Sequence, residues 1–215
     1  AHHLEDVATS NLSCTISRLR IIKLLGRLIN IKDSRKGLLQ YLKNKLKEMS
    51  SMHDKSSAGV ITDRINAEIL GARQQLHDTV EGVFEDIFNA VSNYVIDKGS
   101  QKKESREEET KLRITANLIS TDLWQGVIEP QIKALCVDIH KFTSILKALL
   151  DDIGGLSKAA QDILSSVLVD IVSCKMRLTL VANDLASFIA EDERTCKWME
   201  IKRHSRGQGI RLCNA

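Results

Sequence analysis

The chain has 215 residues, a mass of 24.0 kDa, 43% hydrophobic, 27% charged and 4% aromatic residues, and a formal net charge of +3 from 31 Lys+Arg against 28 Asp+Glu. That hydrophobic share excludes intrinsic disorder, and one proline with 11 glycines excludes collagen and a loop-rich all-β fold. No stretch reaches the roughly 18 apolar residues a bilayer-spanning helix needs.

The start, Ala1-His2-His3 without methionine, fits a secreted protein after signal-peptide removal, and fits a tag remnant equally well. Asn11-Leu12-Ser13 is an N-glycosylation sequon. The first predicted helical segment covers about 5–49. Its stripes are Ile21, Leu24, Leu25, Leu28 and then Leu38, Leu39, Leu42, Leu46, Met49, with Asp33-Ser34 as a cap between them. The second covers 59–97, with a stripe Ile61, Ile65, Ile69, Ala72, Leu76, Val80, Val83, Ile87, Val91, Tyr94.

A third segment, 105–150, carries Leu112, Ile119, Leu123 and Val127, then Leu135, Ile139, Phe142, Leu146 and Leu149. Pro130 interrupts it, because proline lacks an N–H and clashes with the preceding turn, so a kink is expected near Glu129. The fourth, 156–191, has a coiled-coil-like seam Ile163, Val167, Ile171, Cys174, Leu178, Val181, Leu185, Phe188. Gly154-Gly155 stops the third helix and Ser157 caps the fourth. No period-2 alternation is read, so no strand is assigned. The expected fold is all-α: an elongated antiparallel up-down bundle of four long, partly broken helices over 1–193, without a sheet. Residues 194–215 are read as a basic tail, loosely ordered or folded back by a disulfide.

Charge is segregated. Residues 17–47 carry 10 − 1 = +9, residues 48–100 carry 4 − 9 = −5, and residues 194–215 carry 6 − 1 = +5. Arg18, Arg20, Lys23 and Arg27 make a cationic amphipathic helix that suits an anionic membrane interface or a partner's groove. The same charges suit a plain intramolecular match to the acidic second helix. Nucleic acid is disfavoured, because no aromatics interleave the basic residues and no RNA- or DNA-binding signature is present.

Five cysteines, Cys14, Cys136, Cys174, Cys196 and Cys213, are disulfide candidates; none forms a C-x-x-C pair, and an odd number leaves one thiol over. Cys136 and Cys174 fall on apolar stripes and fit plain buried thiols as well. No histidine follows a glutamate at the spacing of a bundle metal site, and His77 with Glu81 lies on a charged face. No phosphate loop, zincin motif or nucleophile elbow occurs. The expectation is a non-enzymatic protein without cofactor or metal.

Phe84, Phe88, Phe142 and Phe188 form a core layer or line a cavity. The leading reading is a secreted bundle that binds an apolar ligand or a lipid surface. The second is an extracellular structural protein that self-associates through helical seams or a disulfide-linked dimer. The third is a cytokine-like signalling ligand.

Overall fold

The computed structural model describes residues 14–30, 33, 35–49, 55–98, 108–192, 194–204 and 207–215. Asn11 lies outside the described residues. In chain order the elements are β1 (Cys14–Ser17), α1 (Arg18–Leu28), α2 (Leu38–Glu48), α3 (Lys55–Arg64), α4 (Leu70–Lys98), β2 (Glu108–Arg113), α5 (Ala116–Ile119), α6 (Glu129–Gly154), α7 (Lys158–Ile189), β3 (Lys197–His204) and β4 (Gly207–Asn214). Single π-helical turns, Ile65–Ile69 and Trp124–Ile128, lead into α4 and α6. No described helix is long and apolar enough to cross a membrane.

The helices are accompanied by a four-stranded antiparallel sheet of order β1-β4-β3-β2, which corrects the expectation of a sheet-free fold. The residues read as a basic tail form its two central strands, and part of the third helical segment is strand β2. The physical reason is an alternation that is present but short. Met199 and Ile201 on β3, and Ile210 and Leu212 on β4, are buried and separated by polar or less buried neighbours. Register then aligns Ile16, Leu212, Met199 and Leu112 in one row across all four strands. The opposite face carries the row Ser17, Arg211, Glu200, Lys111, in which Glu200 lies 3.6 Å from Lys111 and 4.0 Å from Arg211. Alternation of two or three positions among charged residues is masked in a sequence whose longer stripes all have helical period.

The chain divides into two compact units, through both of which α4, α6 and α7 run. One comprises Ile21–Asp78 and Val137–Ala182. Its described elements are all helices, and Leu25, Leu28, Leu39, Leu42, Leu46, Ile61, Ile65, Ile69, Phe142 and Leu146 are almost fully buried in it. Arg27 on α1 pairs with Asp170 on α7 at 3.5 Å, and Arg64 on α3 pairs with Asp152 on α6. α6 and α7 are joined by a short turn in which Ser157 Oγ accepts the Ala160 N–H at 3.3 Å, the N-cap expected from the sequence. Between α1 and α2 the cap is different. Asp33 closes a local turn by accepting the Arg35 N–H at 3.1 Å, while Gly37 takes the N-cap position of α2 with φ 119°.

Burial shifts several stripes by one position. The α7 seam runs Ala160, Leu164, Val167, Ile171, Cys174, Leu178, Val181, Leu185, Phe188, in alternating steps of four and three, and Ile163 is exposed. On α4 the seam passes through Arg73 and Phe84 instead of Ala72 and Val83. Before Pro130 the buried positions are Leu118, Trp124 and Ile128. The Glu129 N–H donates to the Trp124 carbonyl five residues back, and Glu129 itself is helical at φ −63° and ψ −48°, so the winding runs on through the π turn and Pro130 and the break expected near Glu129 is not found.

Arg73 is only 3% exposed. Its Nε donates to the Leu25 carbonyl at 3.4 Å near the C-terminal end of α1, where a cation is favoured, and its Nη1 donates to Gln74 Oε1 at 3.2 Å. Its Nη2 is buried and has no partner among the described residues, and burial pulls the guanidinium below its ordinary pKa. The Leu25 carbonyl also accepts the Ile29 N–H, so it is not orphaned if the guanidinium is removed. Arg73→Met is therefore expected to stabilise the protein by about 1–2 kcal/mol, since it removes a buried charge and an unmet donor while keeping the stem. Urea unfolding measures this. A loss of stability would show that the bond to the α1 terminus outweighs both penalties.

The second unit comprises Ala1–Arg20, Thr79–Cys136 and Asn183–Ala215, and contains the whole sheet. Its core combines the inner sheet face with Phe84, Ile87, Phe88, Val91, Trp124, Ile128 and Phe188. Trp124 and Phe188 pack with ring centroids 6.2 Å apart. Lys197, 7% exposed, donates from Nζ to the Ala190 carbonyl just beyond α7, a basic cap on a helix C-terminus. The last residues are held by the backbone: Cys196 and Ala215 exchange N–H···O bonds of 2.8 and 3.0 Å.

Candidate ligand-binding cavity

In the sheet-containing unit, a cavity of about 330 Å³ opens where β1 hands over to α1. Its lining is Ser17, Arg18 and Leu19 from that junction, Phe84, Glu85 and Phe88 from α4, Lys202 from β3, and Gly209, Ile210 and Arg211 from β4. The local sequence explains the opening. β1 is only four residues long, and its ladder to β4 ends at Ser17 opposite Arg211. There the chain turns into α1, with Ser17 Oγ capping the Arg20 N–H at 3.3 Å. β4 continues to Gly207, and among the described residues no strand pairs with it there on that side. Backbone groups of an antiparallel strand point alternately to its two edges, so either Gly209 or Ile210 turns its N–H and C=O toward this open edge. The ideal Cβ position at Gly209 meets no atom within 4 Å.

The walls are chemically divided. Phe84, Phe88 and Ile210 are buried and supply an apolar floor, and Leu19, 57% exposed, stands at the rim. Three cations, Arg18, Lys202 and Arg211, share the lining with one acid, Glu85. The first turn of α1 adds the positive end of a helix dipole. Arg18 pairs with Glu81 at 2.7 Å, with both side chains well exposed, at 49% and 39%. Pairs of that kind contribute only about 0–1 kcal/mol, so the guanidinium is available to an anion that displaces the carboxylate. Arg211 shares Glu200 with Lys111 and with the Trp198 indole, whose Nε1 donates to it at 3.1 Å.

The four cations of the amphipathic first helix separate. Arg18 enters the cavity; Arg20 turns to Asp184 at 3.2 Å and to the Thr15 carbonyl at 3.0 Å; Lys23 is exposed; Arg27 pairs with Asp170. Of the four phenylalanines, Phe84 and Phe88 reach the cavity, Phe188 packs on Trp124, and Phe142 belongs to the helical unit. Sequence reading named Arg18, Phe84 and Phe88 and missed Ser17, Leu19, Glu85 and the strand residues Lys202, Gly209, Ile210 and Arg211. The signal for the strand residues was the Gly-Ile-Arg-Leu alternation at 209–212, which reads as a strand once hairpin pairing with 197–204 is recognised.

The five cysteines are thiols in the structure. Cys14 and Cys213 lie on paired strands, but Cys14 is opposite Asn214 and Cys213 is opposite Thr15, so they face opposite sides of the sheet. Cys14 accepts from Arg20 Nη1 at 3.6 Å, and burial together with Asp184 raises its pKa. Burial raises that of Cys136 as well. Burial pushes Cys174 and Cys213 up to about 11, and Cys174 donates to the Leu24 carbonyl at 3.3 Å. Cys196 is exposed. Among the described residues no group of three or more His, Cys, Asp or Glu side chains is placed to hold a metal ion. His77 meets Asp78 at 3.2 Å, while Glu81 is engaged by Arg18.

No family model, curated protein or solved structure matches this chain.

Proposed function

We propose that the protein is a binding module for a small amphipathic anion, an apolar chain or ring carrying a carboxylate or phosphate. The observation that carries this reading is the divided wall of the cavity: an aromatic and aliphatic floor beside three cations and a helix N-terminus. Its volume of about 330 Å³ is at the lower end of the range for small-molecule sites, which suits a chain of modest length. The apolar body displaces water from Phe84, Phe88 and Ile210, worth roughly 0.8 kcal/mol per buried methylene. The acid head replaces Glu81 at Arg18 in charge-assisted hydrogen bonds of the stronger kind, while Lys202 and Arg211, rooted on the sheet face opposite Ile210, add positive charge near the opening. This refines the sequence-based reading of a protein for apolar ligands or lipid: the site takes a single amphipath rather than a membrane face.

Isothermal titration with octyl phosphate and octanoate tests it, beside octanol and inorganic phosphate as single-property controls. The expected result is saturable binding of at least one amphipath, with both controls about tenfold or more weaker. Arg211→Glu is expected to cut affinity for the amphipath about tenfold, because it reverses a charge near the opening. Gly209→Leu, at a position with open space and no positive φ, is expected to block the cavity with an unchanged circular dichroism spectrum. Absence of saturable binding by both amphipaths, or binding indifferent to both substitutions, would sink the proposal.

A further inference from the structure

α7 is apolar on two opposite sides. One is the seam that ends at Phe188. The other is an exposed stripe, Val169, Val172, Met176 and Leu180, with exposures of 68%, 38%, 58% and 53%. These steps of three, four and four place the four side chains along one outward line within the helical unit. A helix that is apolar on both sides is normally covered on both.

We infer that this stripe is a homodimer interface, in which α7 packs antiparallel against α7 of a second copy about a two-fold axis near position 174. The sequence along the stripe is self-complementary under that operation. Val172 and Met176 are equidistant from 174, Val169 and Leu180 are centred within half a residue of it, and so are Asp170 and Arg177. The two-fold therefore sets each valine against a longer side chain, large against small, and brings Asp170 of each copy toward the partner's Arg177. A parallel pairing would oppose like charges at both positions. Asp170 and Arg177 lie about 100–120° around the helix from the stripe, where flanking charges select partner and orientation in coiled coils. Asp170 is 52% exposed even while paired with Arg27, so it has free lone pairs for a second guanidinium.

The contact is small. At about 1.5 Å per residue the stripe is roughly 17 Å long, so the helix pair alone buries less than the approximately 1,200–2,000 Å² of a standard interface. The dimer is accordingly reversible and concentration-dependent.

Sedimentation velocity of the full chain in reducing buffer, over about a hundredfold range of concentration, tests this. Reducing conditions remove disulfide-linked dimers through the exposed Cys196 from the comparison. Expected is a shift from monomer to dimer with rising concentration. Met176→Glu, at an exposed position, is expected to leave the circular dichroism unchanged and weaken dimerisation more than tenfold. Arg177→Asp is expected to weaken it, because the reversed charge then faces the partner's Asp170. A concentration-independent monomer overturns the inference. So does a dimer insensitive to Met176→Glu and to Arg177→Asp.

Discussion

Gly37→Ala is expected to lower stability by about 3 kcal/mol or more, and the melting temperature by roughly 10 °C. Gly37 stands at φ 119° and ψ 165° as the N-cap of α2. An L-residue there costs about 1–3 kcal/mol in backbone strain alone. A second term adds to it. A Cβ at position 37 would come within 2.6 Å of the Leu28 carbonyl oxygen and 2.8 Å of the Ile29 Cα. Both are backbone atoms at the end of α1, so no side-chain rotation relieves the clash. The close approach is what lets a turn of a few residues return the chain from α1 to α2, with Asn30 N–H donating to the Lys36 carbonyl at 3.0 Å and Lys36 N–H to the Asp33 carbonyl at 2.9 Å. Thermal unfolding followed by circular dichroism measures the effect. Gly71→Ala is the control: that glycine is inside α4 with open space around it, and alanine there is expected to be neutral or to stabilise by up to about 1 kcal/mol. Equal effects at the two positions would refute the explanation.

A second large effect is expected in alkaline solution. The Cys174 and Cys213 thiols have folded-state pKa values of about 11 against an ordinary 9.0, because burial penalises the thiolate. Between pH 9 and 11 the folded protein therefore holds protons that the unfolded chain releases. Stability contributed by these groups is fully present below pH 9 and is lost as pH rises through 11. Each thiol is nearly inaccessible, at 0% and 1% exposure, so each is worth about 2–3 kcal/mol over that window. Lys197 acts in the opposite sense. Burial lowers its pKa, so neutralising it at high pH relieves a cost and offsets part of the loss. Urea unfolding at a series of pH values reads the slope. Cys174→Ala is expected to flatten it by the share of one thiol, at the cost of a small cavity that is independent of pH. An unchanged slope would assign the alkaline loss to other groups.

Much of the helical part of the protein was legible in the sequence. Every long stripe, from Ile61 to Tyr94 and from Leu135 to Phe188, lies on a helix, because apolar spacing of three and four directly reports the face a helix buries. The Ser157 cap was legible for the same local reason: it acts through the backbone within one turn, whereas the break expected near Pro130 is replaced by a π turn inside a continuous helix. Which of two adjacent residues faces inward was not legible, because it depends on the neighbour. Leu164 rather than Ile163 is buried because of where the packed partners sit, and Arg73 rather than Ala72 because the π turn at Ile65–Ile69 inserts an extra residue into the winding before it.

The sheet and the cavity belong to tertiary structure alone. β1 and β4 pair across nearly the whole chain, Cys14 with Asn214, and β2 is held by β3 more than eighty positions away. Four-residue alternations such as Gly209 to Leu212 are too short to stand out beside the long helical stripes until a partner strand is adjacent. Arg18 and the pair Phe84 and Phe88 were visible as a basic face and as aromatic core candidates. Only the fold sets them beside Lys202 and Arg211, in the gap left where a strand of four residues ends before its neighbour does. Composition and period determined a helical protein with segregated charge. Long-range strand pairing, which local sequence does not encode, decided where that charge converges.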